Sequence, residues 1–336
     1  MNARKKVLVL GSPLDYVDKQ YLEDFQKKYQ LDVLQAKDRS ETKEKLRKKV
    51  AQDGPYDALV VKMGTIPYEP FDKDLLGAIV PQCQIIASAS AGFNEFDVDW
   101  MTSAGIWFCN TLDSVSEATA DMAIFLILAV LRNTSLAEKQ ARSGQWKTGL
   151  TPSQDPVGKT LGIVGLGAIG KYVALKAKVF NMRGKYYNRH RLPAEEEEKY
   201  SVTYCEDLHT LLSSSDIVSL HTPFNAATTG LISYKEFEVM KHGSFLINTA
   251  RGAVVDEEAM IQALESGKLA RAGLDVFPDE PNIKDYFMKS DKVVLQPHMG
   301  GLTESAFAKS EKECLENIRA LFEKGTPNSP VNQPKK

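Results

Sequence analysis

The chain has 336 residues, of which 43% are hydrophobic and 26% are charged, and its 42 basic and 44 acidic side chains leave a net charge of −2. This length exceeds a single domain of about 100 to 200 residues and predicts two domains. The nearly balanced charge provides no basic field for a polyanion, so we expect no nucleic-acid partner.

Several features of the sequence predict a cytoplasmic protein without a membrane partner. The first apolar run, Val7–Leu10, is too short for a signal peptide. The longest run, Ala123–Leu131, has nine residues, whereas a membrane-spanning helix needs about 20. The segment Asn332–Lys336 carries no peroxisomal or retention tripeptide. The four cysteines form no CxxC pair, which favours reduced thiols: Cys83, Cys109, Cys205 and Cys314.

Short runs rich in Val and Ile alternate with amphipathic stretches, a pattern typical of strands and crossover helices in a parallel sheet. In the first third we predict a helix over Asp15–Tyr29 and strands near residues 6–10, 57–62, 84–87 and 106–108. Ser116–Asp121 then leads into the apolar helix around Ala123–Leu131. The polar segment Gln140–Lys159, rich in Gly, Ser, Thr and Pro, is interpreted as the passage between domains.

A second series of five or six strands follows, enough for a dinucleotide-binding sheet, near residues 161–164, 184–187, 216–220, 244–248, 271–275 and 292–295. The acidic run Glu195–Glu198 is predicted to be a solvated helix face. A last helix, about Thr303–Lys324, is expected to return to the first domain.

The predicted fold class is therefore α/β, with two doubly wound parallel-sheet domains, Rossmann-like or flavodoxin-like, and a cleft between them. We assign residues 1–115 with 303–336 to a substrate-binding domain and residues 116–302 to a dinucleotide-binding domain. We expect substrate to bind in the cleft and domain closure to exclude water.

A glycine-rich string lies between a predicted strand and a predicted helix, which is the context of a dinucleotide-binding loop. Gly165 would make the tight turn, Gly167 would let the backbone approach a pyrophosphate, and Gly170 would let the helix pack on the strand. Ala168 and Ile169 complete the loop. The amino terminus of the helix would attract the phosphates.

The residue after the next strand distinguishes between the two nicotinamide dinucleotides. Enzymes that use NAD place an acidic residue there for the ribose hydroxyls, whereas this chain has Asn188, followed by Arg189, His190 and Arg191. The carboxylate that would repel a 2′-phosphate is thus missing from that position. Two guanidinium groups are available to bind the phosphate. We therefore favour NADP(H) as the cofactor, with NAD(H) as the alternative.

Three polar loops follow late strands, where ligands bind in open parallel sheets. They contain Arg251, Glu280 and His298. Reduction of a 2-oxo acid needs a cation for the substrate carboxylate and a proton donor for the carbonyl oxygen, roles that suit Arg251 and His298. Glu280 would orient the imidazole and favour its protonated form.

The sequence resembles the D-isomer-specific 2-hydroxyacid dehydrogenase family, in particular its glyoxylate/hydroxypyruvate reductase branch, over nearly the whole chain. The resemblance is carried by five motifs: Gly165–Gly170, Leu220–Pro223, Asn248–Gly252, Gly273–Val276 with Glu280–Pro281, and Pro297–Gly300. It implies that Arg251, Glu280 and His298 are catalytic. It also implies NAD(P)-dependent chemistry on a small 2-oxo or 2-hydroxy acid, here reduction of glyoxylate or hydroxypyruvate to the D-2-hydroxy acid.

The resemblance implies further roles. In the first domain, backbone N–H groups of Ser90–Gly92, including Ala91 and Gly92, would bind the substrate carboxylate together with Arg251 and His298. The nicotinamide side would be lined by Arg251 and His298 together with Thr119, Pro223, Thr249, Asp275 and Gly300. A homodimer is implied, with Ser116–Arg142 as a candidate contact. The chain departs from the family pattern at Gly92–Glu95, where an Asp is usual, and at Lys62 in the loop Val61–Thr65, where an arginine is common.

Other functions remain as alternatives. The five histidines lack the spacing of metal ligands, so we expect no metal site; His221 is predicted to be structural. A nucleotide-sensing binding protein, similar to the corepressors that share this fold, is an alternative from another class. A 3-phosphoglycerate dehydrogenase is a second alternative, although the regulatory extension of the long forms is missing. Formate dehydrogenase is disfavoured because Glu280 replaces the glutamine it would require.

Overall fold

The computed structural model describes residues 4–64, 66–111 and 113–334, apart from the side chain of Ile66. Thr65 of the predicted loop Val61–Thr65, and Lys335 and Lys336 of the C-terminal segment, lie outside these residues. Contacts divide the chain into two compact units, which we name unit 1 (Met1–Val115 and Leu302–Lys336) and unit 2 (Ser116–Gly301). The predicted boundaries differ from this division only in placing residue 302 with the second domain.

Unit 1 contains a five-stranded parallel sheet in the order β2-β1-β3-β4-β5. The strands are β1 (Lys5–Leu10), β2 (Tyr29–Leu34), β3 (Ala58–Val61), β4 (Ile85–Ser88) and β5 (Trp107–Cys109). The first helices are α1 (Lys19–Lys28), α2 (Arg39–Asp53), α3 (Lys73–Leu76) and α4 (Val98–Ser103), with 3₁₀ turns at Ile66–Tyr68 and Gly77–Ile79.

Unit 2 contains a seven-stranded parallel sheet in the order β12-β11-β10-β9-β6-β7-β8. Its strands are β6 (Thr160–Val164), β7 (Arg183–Tyr187), β8 (Val202–Tyr204), β9 (Ile217–Leu220), β10 (Ser244–Asn248), β11 (Leu269–Leu274) and β12 (Val293–Leu295). Its helices are α5 (Ser116–Arg132), α6 (Thr134–Arg142), α7 (Ala168–Val179), α8 (Ala194–Tyr200), α9 (Leu208–Ser214), α10 (Tyr234–Val239), α11 (Glu257–Glu265) and α12 (Asp285–Lys289), with a 3₁₀ turn at Gly252–Val254.

Each sheet buries apolar side chains on both faces, which explains why its central strands are mostly hydrophobic. In β10, Phe245 and Ile247 pack into the core formed with α5 and α7, whereas Leu246 points to the opposite face and packs into a second core. In β1, Val7 and Val9 alternate in the same way with Leu8 and Leu10. The predicted α/β class with two doubly wound parallel sheets is confirmed.

The last helix, α13 (Glu304–Lys324), belongs to unit 1, as expected from its apolar spacing. Thr303 caps its first turn by accepting a hydrogen bond from the N–H of Ala306, and Gly325 ends it with φ +84°. Leu315 and Ile318 are fully buried in the core that contains Val7 and Val9. The chain order within unit 1 is therefore discontinuous.

After α13 the chain covers the outer edge of β5. The N–H of Val331 donates to the carbonyl of Phe108, and Oδ1 of Asn332 accepts from the N–H of Phe108 at 2.7 Å. Pro330 forms an antiparallel bridge with Cys109. These contacts satisfy backbone groups that an open edge strand would expose.

Two predictions about the elements are wrong, and two strands were not predicted. The predicted helix Asp15–Tyr29 begins only at Lys19, where Asp18 provides the cap, and Tyr29 opens β2, which was not predicted. Strand β8 was also missed, because it has only three residues. Gln140–Lys159 is not a passage between domains. It joins α6 to β6 inside unit 2, because α5 packs on β10 and β11 and brings the following chain with it.

Among the described residues, no single helix is both long enough and apolar enough to cross a membrane. Helices α5 and α6 meet those limits only when taken together across a 69° bend.

Candidate active site

The three predicted catalytic residues follow three neighbouring strands of unit 2. Arg251 comes after β10, Glu280 after β11 and His298 after β12. Because these strands are parallel and adjacent, their carboxyl ends form one rim of the sheet. The structure therefore brings the three loops together within a single unit.

A hydrogen bond joins His298 to Glu280, with 2.7 Å between Nδ1 and Oε2. Burial alone would raise the pKa of Glu280, but the hydrogen bond and charge of His298, the N–H of Phe277 and the charge of Arg251 together lower it. Glu280 is thus ionised at neutral pH and fixes the tautomer and orientation of the imidazole. Among the described residues, none hydrogen-bonds to Nε2 of His298, so this nitrogen is available to a substrate.

Asp275 builds the loop that carries His298. Its carboxylate accepts hydrogen bonds from the N–H groups of Met299 and Gly300, at 2.7 and 2.8 Å, and its carbonyl accepts one from the N–H of His298 at 2.7 Å. His298 has a left-handed backbone, φ +56°, which is uncommon for a residue with a side chain. Such strain persists where surrounding contacts over-determine it, and Asp275 supplies three of them.

The loop of Arg251 packs directly on the loop after β11. A Cβ atom added to Gly252 would lie 2.0 Å from the carbonyl carbon of Phe277, so only glycine fits this position. The side-chain amide of Asn248 donates to the carbonyl of Arg251 at 2.9 Å. This packing explains how Arg251 comes close enough to Glu280 to lower the pKa of its carboxyl group.

The glycine loop has the geometry that a dinucleotide requires. Gly165 has φ +97°, and a Cβ on Gly170 would lie 2.4 Å from the carbonyl oxygen of Gly165. A Cβ on Gly167 would meet nothing within 4 Å, so a ligand can approach the backbone there. Gly167 caps α7 without a side-chain hydrogen bond, which leaves N–H groups of the first turn, including those of Ala168 and Ile169, facing the open space.

One buried polar atom beside this loop also fits a bound cofactor. The Oγ1 atom of Thr222 is buried and has no hydrogen-bond partner among the described residues. The N–H of Thr222 lies close to Gly165, 3.0 Å from where a Cβ would stand. Because buried polar atoms are normally paired, this orphan indicates a polar ligand next to the loop.

The three residues predicted to select the cofactor follow β7 but are not equivalent. Oδ1 of Asn188 accepts a hydrogen bond from the N–H of Leu166 at 2.7 Å, so Asn188 fastens the strand end to the glycine loop. Arg189 is exposed. Arg191 is bound by Glu197 through two hydrogen bonds of 2.8 Å. Of the two guanidinium groups predicted to be available to a 2′-phosphate, that of Arg191 is thus already paired with a carboxylate.

The remaining predicted residues of unit 2 lie around the same strand ends. Thr119 lies in the first turn of α5, near Gly300, and Pro223 and Thr249 follow β9 and β10. Oγ1 of Thr249 lies 3.4 Å from Nδ1 of His221, whose Nε2 lies 2.8 Å from Oγ of Ser219. Burial lowers the pKa of His221 to about 3, so this histidine stays neutral near pH 7.

Ala91 and Gly92 belong to unit 1, in the loop after β4. The side-chain amide of Asn110 donates to the carbonyl of Ala91 at 2.6 Å, and the N–H of Thr111 donates to the carbonyl of Ser90. Among the described residues, none accepts a hydrogen bond from the N–H of Ala91 or Gly92. These two donors are thus available to a ligand, and their predicted contact with the substrate carboxylate stays a prediction.

The sequence did not predict the side-chain contacts of two charged residues, one in each unit. Glu197 was assigned to a solvated face, yet its side chain is only 12% exposed because it binds Arg191 and the hydroxyl of Tyr186. The spacing of six residues between Arg191 and Glu197 matches no helical or strand rule. Lys62 was compared with an arginine of the family, but here its ammonium group lies 2.8 Å from Glu311, and both side chains are buried.

In residues 4–64, 66–111 and 113–334, no group of three or more His, Cys, Asp or Glu side chains is arranged to hold a metal ion.

Comparison with known proteins identifies the class of this fold and site. The family described as "D-isomer specific 2-hydroxyacid dehydrogenase, NAD binding domain" matches residues 124–300. The chain is 58% identical over 98% of its length to Dehydrogenase efuE of Hormonema carpetanum, covering 82% of that protein. The crystal structure of a glyoxylate reductase from Paecilomyes thermophila is 35% identical, with a TM-score of 0.88 and 98% of both chains covered.

An NADPH-dependent glyoxylate/hydroxypyruvate reductase of Sinorhizobium meliloti, solved with NADP and malonate, is 27% identical, with a TM-score of 0.81, 98% of this chain covered and 97% of that one. The chain therefore belongs to the D-isomer specific 2-hydroxyacid dehydrogenase family. It is an oxidoreductase with a nicotinamide-cofactor domain that acts on 2-hydroxy or 2-oxo acids. The predicted enzyme class is confirmed.

Proposed function

We propose that the protein reduces glyoxylate or hydroxypyruvate to the D-2-hydroxy acid with NADPH. The observation that carries the proposal is the His298–Glu280 pair on the same rim as Arg251, beside a glycine loop open at Gly167. The similarity to glyoxylate and hydroxypyruvate reductases supports the choice of substrate. NADH is the alternative cofactor.

When bound, the nicotinamide supplies the hydride that reduces C2 of the substrate. Arg251 binds the substrate carboxylate and polarises the carbonyl oxygen through charge-assisted hydrogen bonds. His298 donates the proton from Nε2 to that oxygen as it becomes a hydroxyl group. In the reverse direction the neutral imidazole accepts the same proton.

Glu280 orients the imidazole of His298, since its ionised carboxylate accepts a hydrogen bond from Nδ1–H with 2.7 Å between Nδ1 and Oε2. We assign Ala91 and Gly92 as further donors to the substrate carboxylate, because both N–H groups are free among the described residues. Thr119, Pro223, Thr249, Asp275 and Gly300 are assigned to the nicotinamide side. Asp275 also holds the loop of His298, so its role includes positioning.

For the cofactor we assign Gly165–Gly170 to the pyrophosphate, Asn188 to the ribose end and Arg189 to the 2′-phosphate. The absence of a carboxylate directly after β7 supports NADPH, because a carboxylate there would repel the phosphate. Arg191 contributes less than Arg189, since Glu197 already neutralises it.

We also propose a homodimer that uses the Ser116–Arg142 segment. Phe125, on α5 within this segment, is 50% exposed although it is apolar. A second copy of the chain would cover such a side chain. Light scattering during gel filtration should give twice the monomer mass for the wild type. Phe125→Glu should lower the measured mass toward that of the monomer.

The decisive experiment is a panel of 2-oxo acids assayed with both reduced cofactors by loss of absorbance of the nicotinamide. We expect kcat/KM to be highest for glyoxylate or hydroxypyruvate with NADPH. A higher kcat/KM for a longer 2-oxo acid would change the substrate assignment but keep the enzyme class. A higher kcat/KM with NADH would overturn the cofactor preference.

A further inference from the structure

The two arginines after β7 occupy different electrostatic environments. Glu197 binds Arg191 side-on, with Nε 2.8 Å from Oε1 and Nη2 2.8 Å from Oε2. Among the described residues, no hydrogen bond or ion pair reaches the guanidinium group of Arg189. The Glu197 carboxylate thus cancels one of the two positive charges that the sequence places at this strand end.

Glu197 is also held in place by Tyr186. The hydroxyl of Tyr186 donates to Oε1 of Glu197 at 2.7 Å and accepts from the N–H of Leu192 at 2.9 Å. Hydrogen bonds from Arg191 and Tyr186 lower the pKa of Glu197 to about 2, so the carboxylate is charged at all physiological pH values. The side chain of Arg191 is 61% exposed and that of Glu197 is 12% exposed, so the pair lies at the surface and the carboxylate is its more buried partner.

The ion pair lies beside the residue assigned to the ribose. The guanidinium carbon of Arg191 lies 5.5 Å from the ring centroid of Tyr204, and the hydroxyl of Tyr204 lies 3.5 Å from the carbonyl of Asn188. Asn188 in turn contacts the glycine loop through Leu166. In this fold the adenine ribose binds at that strand end, so Glu197 is close enough to act on a 2′-phosphate.

We propose that Glu197 is a specificity-determining residue whose carboxylate neutralises Arg191 and thereby limits the preference for NADP(H) over NAD(H). This inference rests on the proposed NADPH-dependent function and deepens it. A 2′-phosphate near Arg191 is attracted by the guanidinium and repelled by the carboxylate, so the net gain is small. Arg189 is left as the main cation for the phosphate, and NAD(H) remains usable.

The test measures binding of two cofactor fragments, adenosine 2′,5′-bisphosphate and 5′-AMP, by isothermal titration calorimetry. These fragments differ only in the 2′-phosphate, so the ratio of their Kd values reports its recognition without any catalytic step. Glu197→Gln keeps an acceptor for Tyr186 but removes the charge. We expect Glu197→Gln to lower the Kd of the bisphosphate by about threefold to tenfold and to keep the Kd of 5′-AMP within about twofold of wild type.

Glu198→Gln is the matched control, because Glu198 is an exposed glutamate on the same helix α8. It removes the same formal charge, so we expect less than about a twofold change for both fragments, because exposed charges are screened. An equal gain in affinity for the bisphosphate in Glu198→Gln and Glu197→Gln would contradict a specific role of Glu197. An unchanged ratio of the two Kd values in Glu197→Gln would contradict it as well.

A second variant covers the case in which Glu197→Gln folds poorly. Arg191→Met/Glu197→Met removes the neutral pair as a whole and leaves no unpaired buried charge. We expect its affinity for the bisphosphate to stay within about threefold of wild type, whereas Arg189→Met should lose about tenfold. A loss in the double variant as large as that in Arg189→Met would overturn the inference.

The outcomes also separate this inference from the proposed function. Equal Kd values of the two fragments in the wild-type protein would contradict the NADPH preference. A higher affinity for the bisphosphate in Glu197→Gln would still support the role of Glu197. Wild-type protein that discriminates strongly, with no further gain in Glu197→Gln, would leave the proposed function standing and refute the role of Glu197.

Discussion

Nδ1 of His298 lies 2.7 Å from Oε2 of Glu280, although the two residues follow different strands of the unit 2 sheet. The second carboxylate oxygen of Glu280 accepts the N–H of Phe277 at 2.8 Å. One carboxylate therefore fixes the imidazole to the backbone of a neighbouring loop. This arrangement presents a single ring nitrogen to a substrate, which is what a proton donor for a carbonyl oxygen requires.

Replacing His298 by alanine should abolish proton donation and leave cofactor binding intact. We expect kcat to fall by about 10²- to 10⁴-fold, because the residue acts on the substrate oxygen and does not touch the glycine loop. The Kd for NADPH, measured by fluorescence titration, should stay within about twofold of wild type. His209→Ala, at an exposed position on α9, is the control and should change neither value. A normal kcat in His298→Ala would exclude the assigned role.

Glu280→Gln should change the pH profile of reduction. The pKa of Glu280 is lowered, so the wild-type carboxylate stays charged across the neutral range and loses its charge only as the pH falls into the acid range. Glutamine has no charge to lose, so the fall of kcat/KM that protonation of Glu280 causes in the wild type at acid pH should be absent from the variant, whose kcat/KM should be lower at neutral pH. Initial rates over about pH 4 to 9 would measure both profiles. Profiles of the same shape in the two proteins would show that the charge of Glu280 has no part in the reaction.

Arg189→Ala should weaken the binding of NADPH and leave that of NADH unchanged. The guanidinium group is exposed after β7, where a 2′-phosphate would bind, and a charge-assisted contact of this kind contributes about tenfold in affinity. We expect KM for NADPH to rise by about that factor, while KM for NADH stays near its wild-type value. Arg47→Ala, at an exposed position on α2, serves as the control. Equal changes for both cofactors would refute the assignment of Arg189.

Lys62→Met should destabilise unit 1 strongly. The ammonium group of Lys62 lies 2.8 Å from Oε1 of Glu311, and the two side chains are 4% and 0% exposed. Removing one partner of a buried pair costs about 3–5 kcal/mol, because the other charge is left unpaired. Urea denaturation should show this loss, and adding Glu311→Gln should restore part of it.

Lys48→Met provides the matched control for the buried pair. Lys48 and Glu44 form an ion pair on α2 that is about two-thirds exposed on each side. We expect this change to cost less than about 1 kcal/mol, since exposed pairs contribute little. If Lys48→Met and Lys62→Met were equally destabilising, the Lys62–Glu311 pair would have no special role.

His221→Asn should make stability less sensitive to acid. The folded pKa of His221 is about 3, against an ordinary value of 6.5, so between these values the unfolded chain binds a proton that the folded chain does not. Stability contributed by the neutral ring is present above pH 6.5 and is lost as the pH falls toward 3. The difference between wild type and variant should change by up to about 1.4 kcal/mol per pH unit in this range. Parallel stability curves would contradict the prediction.

Much of the fold could be predicted because the central strands are buried on both faces. The runs around β6, β9 and β10 are nearly continuous in Val, Ile and Leu, and that composition identifies them without any partner. Strands β2 and β8 lie at sheet edges, where polar residues such as Gln30, Asp32 and Thr203 are tolerated, so their hydrophobic pattern is weak. The polar composition of Gln140–Lys159 indicates a surface loop, but it cannot distinguish a loop inside a unit from a link between units.

The candidate site also contains residues that could be predicted from the sequence and contacts that could not. Arg251, Glu280 and His298 could be found because they follow strands, and the carboxyl ends of parallel strands meet at one rim. The pairing of Arg191 with Glu197 could not be predicted, because it depends on where α8 lies in the fold and on the hydroxyl of Tyr186. Composition predicts charges, whereas the side-chain contacts determine which of them are neutralised.

The position of α13 has a consequence for the order in which the protein is made. Leu315 and Ile318 of α13 fill the core against Val7 and Val9, but they leave the ribosome only after the whole of unit 2. Unit 2 is continuous and can fold while it is being synthesised, whereas the sheet of unit 1 must wait with one face uncovered. Nascent chains halted just before Leu302 should therefore expose a patch on β1 that chaperones recognise.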